Sequence, residues 1–177
     1  MHGVEWSLAV VNCVIASLLI VAGVAKVVSP AQLRIALRDT LPRLAVTHTQ
    51  LRTFAILEIG SGLTLAIPGA RVVGACVIGA LAACFTAVGL LGWRRHNQTA
   101  CGCFGGSSDR PLGPLNIFFG LLFFATAFFN VYARGEAQSA AYFSFSATGI
   151  ALATVTVCAL VNRRVIRELT HRLATSS

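Results

Sequence analysis

The chain is 177 residues long, 56% hydrophobic and only 11% charged, with a net charge of +8 and a mean hydropathy of +0.77. Soluble domains carry about a quarter charged residues, so this composition predicts a membrane protein and excludes a separate soluble domain. The basic residues stand at the ends of apolar runs rather than on one face or among aromatics, which excludes a nucleic-acid partner and makes them topology determinants.

A hydrocarbon core of about 30 Å takes about 20 helical residues per crossing. The expected fold is therefore an all-α polytopic transmembrane bundle, a single membrane domain over residues 1–177 with four to five spans and an interfacial amphipathic helix. The first apolar run, about 6–28, is preceded by Glu5 and by no lysine or arginine. It lacks the basic start of a signal peptide and is expected to be a retained span. Ser29 and Pro30 form a helix start, and Leu33, Leu37 and Leu41 then recur opposite Arg34 and Arg38, which predicts an interfacial amphipathic helix over about 30–42.

The second run, about 54–69, is short and contains Glu58, and "PGAR" turns it into a third run over about 72–93. These two read as a helical hairpin. In the third run Ala75, Gly79, Ala83 and Ala87 recur every fourth residue, a stripe expected to let a neighbouring helix approach. A fourth run, about 112–132, has Pro114 where a first-turn proline costs little, and a fifth covers about 141–162.

With five spans, Lys26, Arg34, Arg38, Arg43, Arg52, Arg94, Arg95, Arg110, Arg163, Arg164, Arg167 and Arg172 share one side, against Arg71 and Arg134 on the other. The bias over short loops predicts a cell-membrane protein with its N-terminus outside and its C-terminus in the cytoplasm. The loop over 94–111 then falls on the cytoplasmic side.

That loop carries "TACGCFGGSSDRPLGP", the one polar, glycine-rich stretch between spans, with Cys101 and Cys103 flanking Gly102. A disulfide between them closes a very small ring, for which the backbone freedom of Gly102 is needed. Strained, exposed disulfides are the labile ones, and Arg94, Arg95 and Arg110 favour the thiolate that exchange requires. Two other readings stay open. The cysteines are incidental to a loop, or they form a metal site with His96 and Asp109, although Cys-x-Cys is tighter than the usual zinc spacing. The favoured reading has no metal.

The stretches "CGCFG", "LNIFFGLLFF", "AGVAKVVSP" and "LEIGSGLTLAIPG" together resemble the methylamine utilisation MauE family, a branch of the DoxX-like membrane proteins, over roughly residues 10 to 160. The resemblance implies a small multi-spanning helical bundle. It also implies a part in maturing a disulfide-rich partner such as methylamine dehydrogenase, by thiol-disulfide exchange at Cys101 and Cys103 with a thioredoxin-like or disulfide-bearing protein.

Glu58 is the only acidic residue well inside an apolar run, which marks it as a functional candidate with a partner; Lys26 is the mate expected if the first two spans pack together. A purely structural pair, with Lys26 reaching to the interface, is the alternative. Asn116 is placed to donate to the cysteine loop or to a quinone carbonyl, or to act as interhelical glue, and Phe104 to anchor the loop in the interface. Cys13, Cys76, Cys84 and Cys158 read as packing residues, with a Cys13–Cys76 pair left open.

The reading that results is a membrane thiol-disulfide oxidoreductase in which Cys101 and Cys103 exchange electrons with a protein dithiol and a bilayer quinone resets the pair. The competing reading is a non-catalytic membrane subunit or assembly factor that binds a redox partner. Small-molecule transport fits poorly, with Glu58 and Lys26 the only candidate intramembrane charges and no pair of broken helices.

Overall fold

The computed structural model describes residues 2–42, 46–67, 69–96, 113–133 and 140–161, and within them every regular element is an α-helix. The elements are α1 (His2–Val28), α2 (Pro30–Thr40), α3 (His48–Thr64), α4 (Arg71–Arg94), α5 (Pro114–Tyr132) and α6 (Ala140–Val161). Three stretches are long and apolar enough to cross a bilayer, Trp6–Val28, Arg71–Arg94 and Pro114–Tyr132, and Ser144–Leu160 is a shorter apolar helix. The protein is thus a multi-pass helical membrane protein.

Local signals explain where the helices begin. Pro30 and Pro114 stand in the first turns of α2 and α5, where the missing N–H is not needed. α3 starts well before its apolar run because Thr47 and Gln50 form a capping box: the Gln50 N–H donates to Thr47 Oγ1 (3.3 Å) and the Thr47 N–H to Gln50 Oε1 (2.9 Å). The 17 residues of α3 span about 25 Å at 1.5 Å per residue, slightly less than the hydrocarbon thickness.

Side-chain neighbours set the directions. Gly23 lies against Ala55 and Ile59, and Gly62 against Ala16, so α1 and α3 are antiparallel. Phe54 meets Phe85, and Gly74 meets Thr64, so α3 and α4 are antiparallel too. Gly89 abuts Asn116 and Ile117 while Gly79 faces Ala127, which makes α4 and α5 antiparallel. Cys13 meets Ser146 and Ser17 meets Ile150, so α6 runs parallel to α1. One end of the bundle therefore gathers the C-termini of α1, α4 and α6 with the N-termini of α3 and α5.

α2 lies across that end. It begins two residues after α1 and its last carbonyl, on Thr40, accepts from Arg95 Nη1 beyond the end of α4. Leu33 and Ala36 of α2 pack with Leu51 of α3 and with Val88 of α4, leaving Arg34, Ile35 and Arg38 outward. The main core joins Ile15, Ala16 and Leu19 of α1 to Leu65, Ile78, Ala82, Phe123, Ala127 and Ile150.

Two expectations about packing need correction, and a third point that the sequence leaves open is decided. Of the Ala75, Gly79, Ala83 and Ala87 stripe only Ala75 is buried; Ala83 and Ala87 are exposed. A four-residue step advances about 40° beyond a full turn, so three steps carry the row about 120° round the helix and off the interface. The close approach is made instead by Gly89 and by Gly120, where an added Cβ would lie 3.0 Å from Ala82 O and Thr86 N. Second, Cys76, Cys84 and Cys158 are on the exposed surface rather than packed inside, and among the cysteines of the described residues only Cys13 is buried. Third, Cys13 and Cys76 do not meet: Cys13 packs on α6, where its thiol donates to Ser146 O (3.6 Å), and α1 is separated from α4 by α3 and α5.

Two identical substitutions should therefore differ. Gly79→Ala places its methyl 3.6 Å from Ala127 Cβ, an ordinary contact, and should leave stability within about 0.5 kcal/mol. Gly120→Ala pushes against the α4 backbone and should cost about 1–3 kcal/mol. Unfolding of both variants in mild detergent would check this; equal stability would show that α4 and α5 do not pack as described.

Candidate functional site

Lys26, in the last turn of α1, and Glu58, midway along α3, form the one ion pair among the described residues. The Lys26 ammonium donates to both carboxylate oxygens, at 2.9 Å to Oε1 and 2.8 Å to Oε2, and to Ala22 O at 3.4 Å. Both side chains are withdrawn from the surface, at 1% and 0% exposure. The rings of Phe54 and Phe85 close over the ammonium, their centroids 6.0 and 5.4 Å from Nζ. This geometry gives each charge its counter-charge and adds the negative faces of two rings.

The helices bring the pair together because of what lies beside it. Gly23, one turn before Lys26, has Ala55 O only 2.8 Å from where a Cβ would stand, so α1 and α3 touch backbone to backbone there. Such an approach lets a long lysine fold back along its own helix and still reach a carboxylate on the next. Phe54 is one turn before Glu58 on α3, and Phe85 reaches across from α4 to meet it edge-on at 5.9 Å.

Asn116 is buried in the first turn of α5, against Gly89 of α4. It lies at the same end of the bundle as Arg94, Arg95 and Pro114, the points between which residues 97–112 run. Cys101, Gly102, Cys103 and Phe104 lie outside the described residues, as does Asp109. Among the described residues no cluster of three or more His, Cys, Asp or Glu is arranged to hold a metal.

Several buried polar residues escaped the sequence reading. Asn12 of α1 and Asn130 of α5 exchange two amide hydrogen bonds of 2.8 Å, both fully buried, and Asn130 also donates to Thr126 O. The signal was available: an asparagine inside an apolar run needs a partner as Glu58 does. Arg71, which the "PGAR" turn places between spans, is 1% exposed and its Nη2 donates to Ala133 O, tying the start of α4 to the end of α5. No sequence rule foretold that, since the partner is a backbone carbonyl.

A bundle of apolar helices around a buried ion pair, with a polar cysteine-bearing connection between α4 and α5, defines a small polytopic membrane protein. The chain matches the model of the methylamine utilisation protein MauE over residues 4–133, from α1 to the end of α5. It belongs to the MauE family, and so is a membrane protein associated with methylamine utilisation. Comparison with curated proteins and with solved structures gives no match.

Removing one member of the ion pair leaves the other buried and uncompensated. Lys26→Met and Glu58→Leu should each cost about 3–5 kcal/mol, while the double variant should recover most of that loss. Glu58→Gln should be milder than Glu58→Leu, because an amide oxygen still accepts from Lys26. A double-mutant cycle read by unfolding in detergent measures this; additive losses would show that the two residues do not act as a pair.

Proposed function

We propose that this protein is a membrane thiol-disulfide redox protein in which Cys101 and Cys103 exchange electrons with a protein dithiol during maturation of a partner such as methylamine dehydrogenase. The observation that carries the reading is family membership over a stretch, residues 4–133, that includes the Cys-Gly-Cys segment. The arginines at the end of α4, Arg94 and Arg95, support it, since nearby positive charge favours the thiolate.

The exchange runs through a mixed disulfide. A client thiolate attacks one sulfur of the Cys101–Cys103 disulfide and releases the other as thiolate; the client's second thiolate then attacks the mixed bond. The client gains a disulfide, and the pair is left as a dithiol that takes up two protons. A bilayer quinone, as co-substrate, accepts two electrons and two protons from that dithiol and becomes quinol, which restores the disulfide. A thioredoxin-like protein, or a client that becomes disulfide-bearing in this exchange, is the macromolecular partner.

The supporting residues act through position. Lys26 and Glu58 lock α1 to α3 beneath α2, and Asn116 fixes the first turn of α5 on Gly89, where residues 97–112 rejoin the bundle. The N-terminus is outside and the C-terminus cytoplasmic, on the charge bias over the connections. The cysteine pair then meets cytoplasmic thiols, and quinone carries the electrons into the membrane.

Mass mapping of the purified protein across glutathione buffers should find a reducible bond between Cys101 and Cys103. Two thiols that stay free under all conditions would end the redox reading. Partner maturation that is unchanged when both cysteines become serine would favour a non-catalytic assembly factor.

Orientation is tested separately. With Cys103 as the sole remaining cysteine, an impermeant maleimide should label it only after the membrane is opened, and a reporter fused after Ser177 should be cytoplasmic. Rapid labelling of intact cells would reverse the assignment and place the pair where it meets exported proteins directly.

A further inference from the structure

The two ends of the bundle differ sharply in charge. At the end crossed by α2, Arg34, Arg38, Arg52 and Arg94 are all exposed, with Asp39 the one exposed acidic side chain among the described residues there. At the opposite end the described residues include a single arginine, Arg71, and it is buried beneath α5. α2 has spent Leu33 and Ala36 on the bundle, so its outer face presents Arg34 and Arg38, one turn apart, with Ile35 between them at 56% exposure. Trp93, 55% exposed in the last turn of α4, stands at the same end.

Basic side chains, an outward isoleucine and an indole at the level where helices leave the hydrocarbon form a pattern with a specific chemical fit. The guanidinium groups match phosphodiesters bidentately, the indole suits the headgroup region, and the outward Ile35 suits the acyl chains just below it. The neighbouring surface of α1 is apolar, with Val24, Val27 and Val28 exposed, which a lipid covers and an acidic soluble protein does not. We propose that the outer face of α2, with Arg34 and Arg38, together with Arg94 and Trp93 of α4, is a binding surface for anionic phospholipid headgroups. Anionic lipid is thereby enriched around this end of the protein and not around the other. This does not depend on the redox chemistry of Cys101 and Cys103.

The two tryptophans of the chain make the test internal, because Trp6 belongs to the opposite end, against Phe145. The full-length protein is placed in nanodiscs of phosphatidylcholine and phosphatidylglycerol, with bromine on the acyl chains of one lipid or the other at equal mole fraction. Single-tryptophan variants, Trp6→Phe and Trp93→Phe, separate the two signals. One basic residue near an anionic surface is worth about fivefold in association, so Trp93 should report a preference for phosphatidylglycerol of about that size or more. Trp6 should report none.

The variant R34Q/R38Q/R94Q should bring the Trp93 preference to about one. R38Q/R94Q, which keeps the Arg34–His48 hydrogen bond (2.8 Å), should lower it and decides the matter if the triple variant does not fold. Equal quenching of Trp93 by both lipids would overturn the proposal and leave these arginines to an acidic protein partner. An equal preference at Trp6, or one that survives both variants, would overturn it as well.

Discussion

A lysine and a carboxylate withdrawn together from water and from lipid govern the arrangement around them. Neither Lys26 nor Glu58 is tolerable alone in hydrocarbon, where an unpaired charge costs several kcal/mol. Each satisfies the other only if the last turn of α1 lies against the middle of α3, and the contact at Gly23 permits that. With Gly62 against Ala16 as a second level of contact, α3 runs antiparallel to α1, α2 crosses the end between them, and Phe85 brings α4 in over the ammonium. The ion pair specifies which helices are neighbours and in what register, a task that apolar surfaces perform poorly in lipid, since they pack nearly as well against acyl chains.

The opposite half of the bundle is fixed by the same logic in neutral form. The reciprocal amides of Asn12 and Asn130 tie α1 to α5, and Arg71 ties the start of α4 to the end of α5 through Ala133 O. Interhelical hydrogen bonds in membranes are worth only about 1 kcal/mol each, yet the alternative registers leave buried amides without partners. Between these polar points the helices close by shape, at Gly89 and Gly120 between α4 and α5 and at Gly62 between α3 and α1. α6 is held on α1 more simply, by Ser17, Cys13 and the contact of Cys13 with Gly149.

The same architecture bears on function by bringing termini together. The end of α4 and the start of α5, which bound the cysteine-bearing connection, share an end with α2 and with the ion pair's half of the bundle. The exposed side chains of Arg34, Arg38 and Arg94 give that end a cationic rim. The ammonium of the buried pair is committed to two carboxylate oxygens and a carbonyl, which makes the pair a structural element of that half of the bundle.

The sequence by itself determined the class. Long apolar runs oblige backbone groups to bond within helices, so an all-helical membrane protein was legible from composition. Glu58 and Lys26 were legible as a pair because an ionisable residue in an apolar run demands a partner and few were available. The motif stretches carried the family, which the match over residues 4–133 bears out. The tertiary structure alone decided which small residues make contact, since a four-residue row drifts off any face within three turns and Gly89 and Gly120 belong to no such row. It alone showed three cysteines outward, because a thiol is small and apolar enough for either lipid or core. And it alone buried Arg71, whose partner is a backbone carbonyl that every residue possesses and that only the docking of α4 on α5 brings within reach.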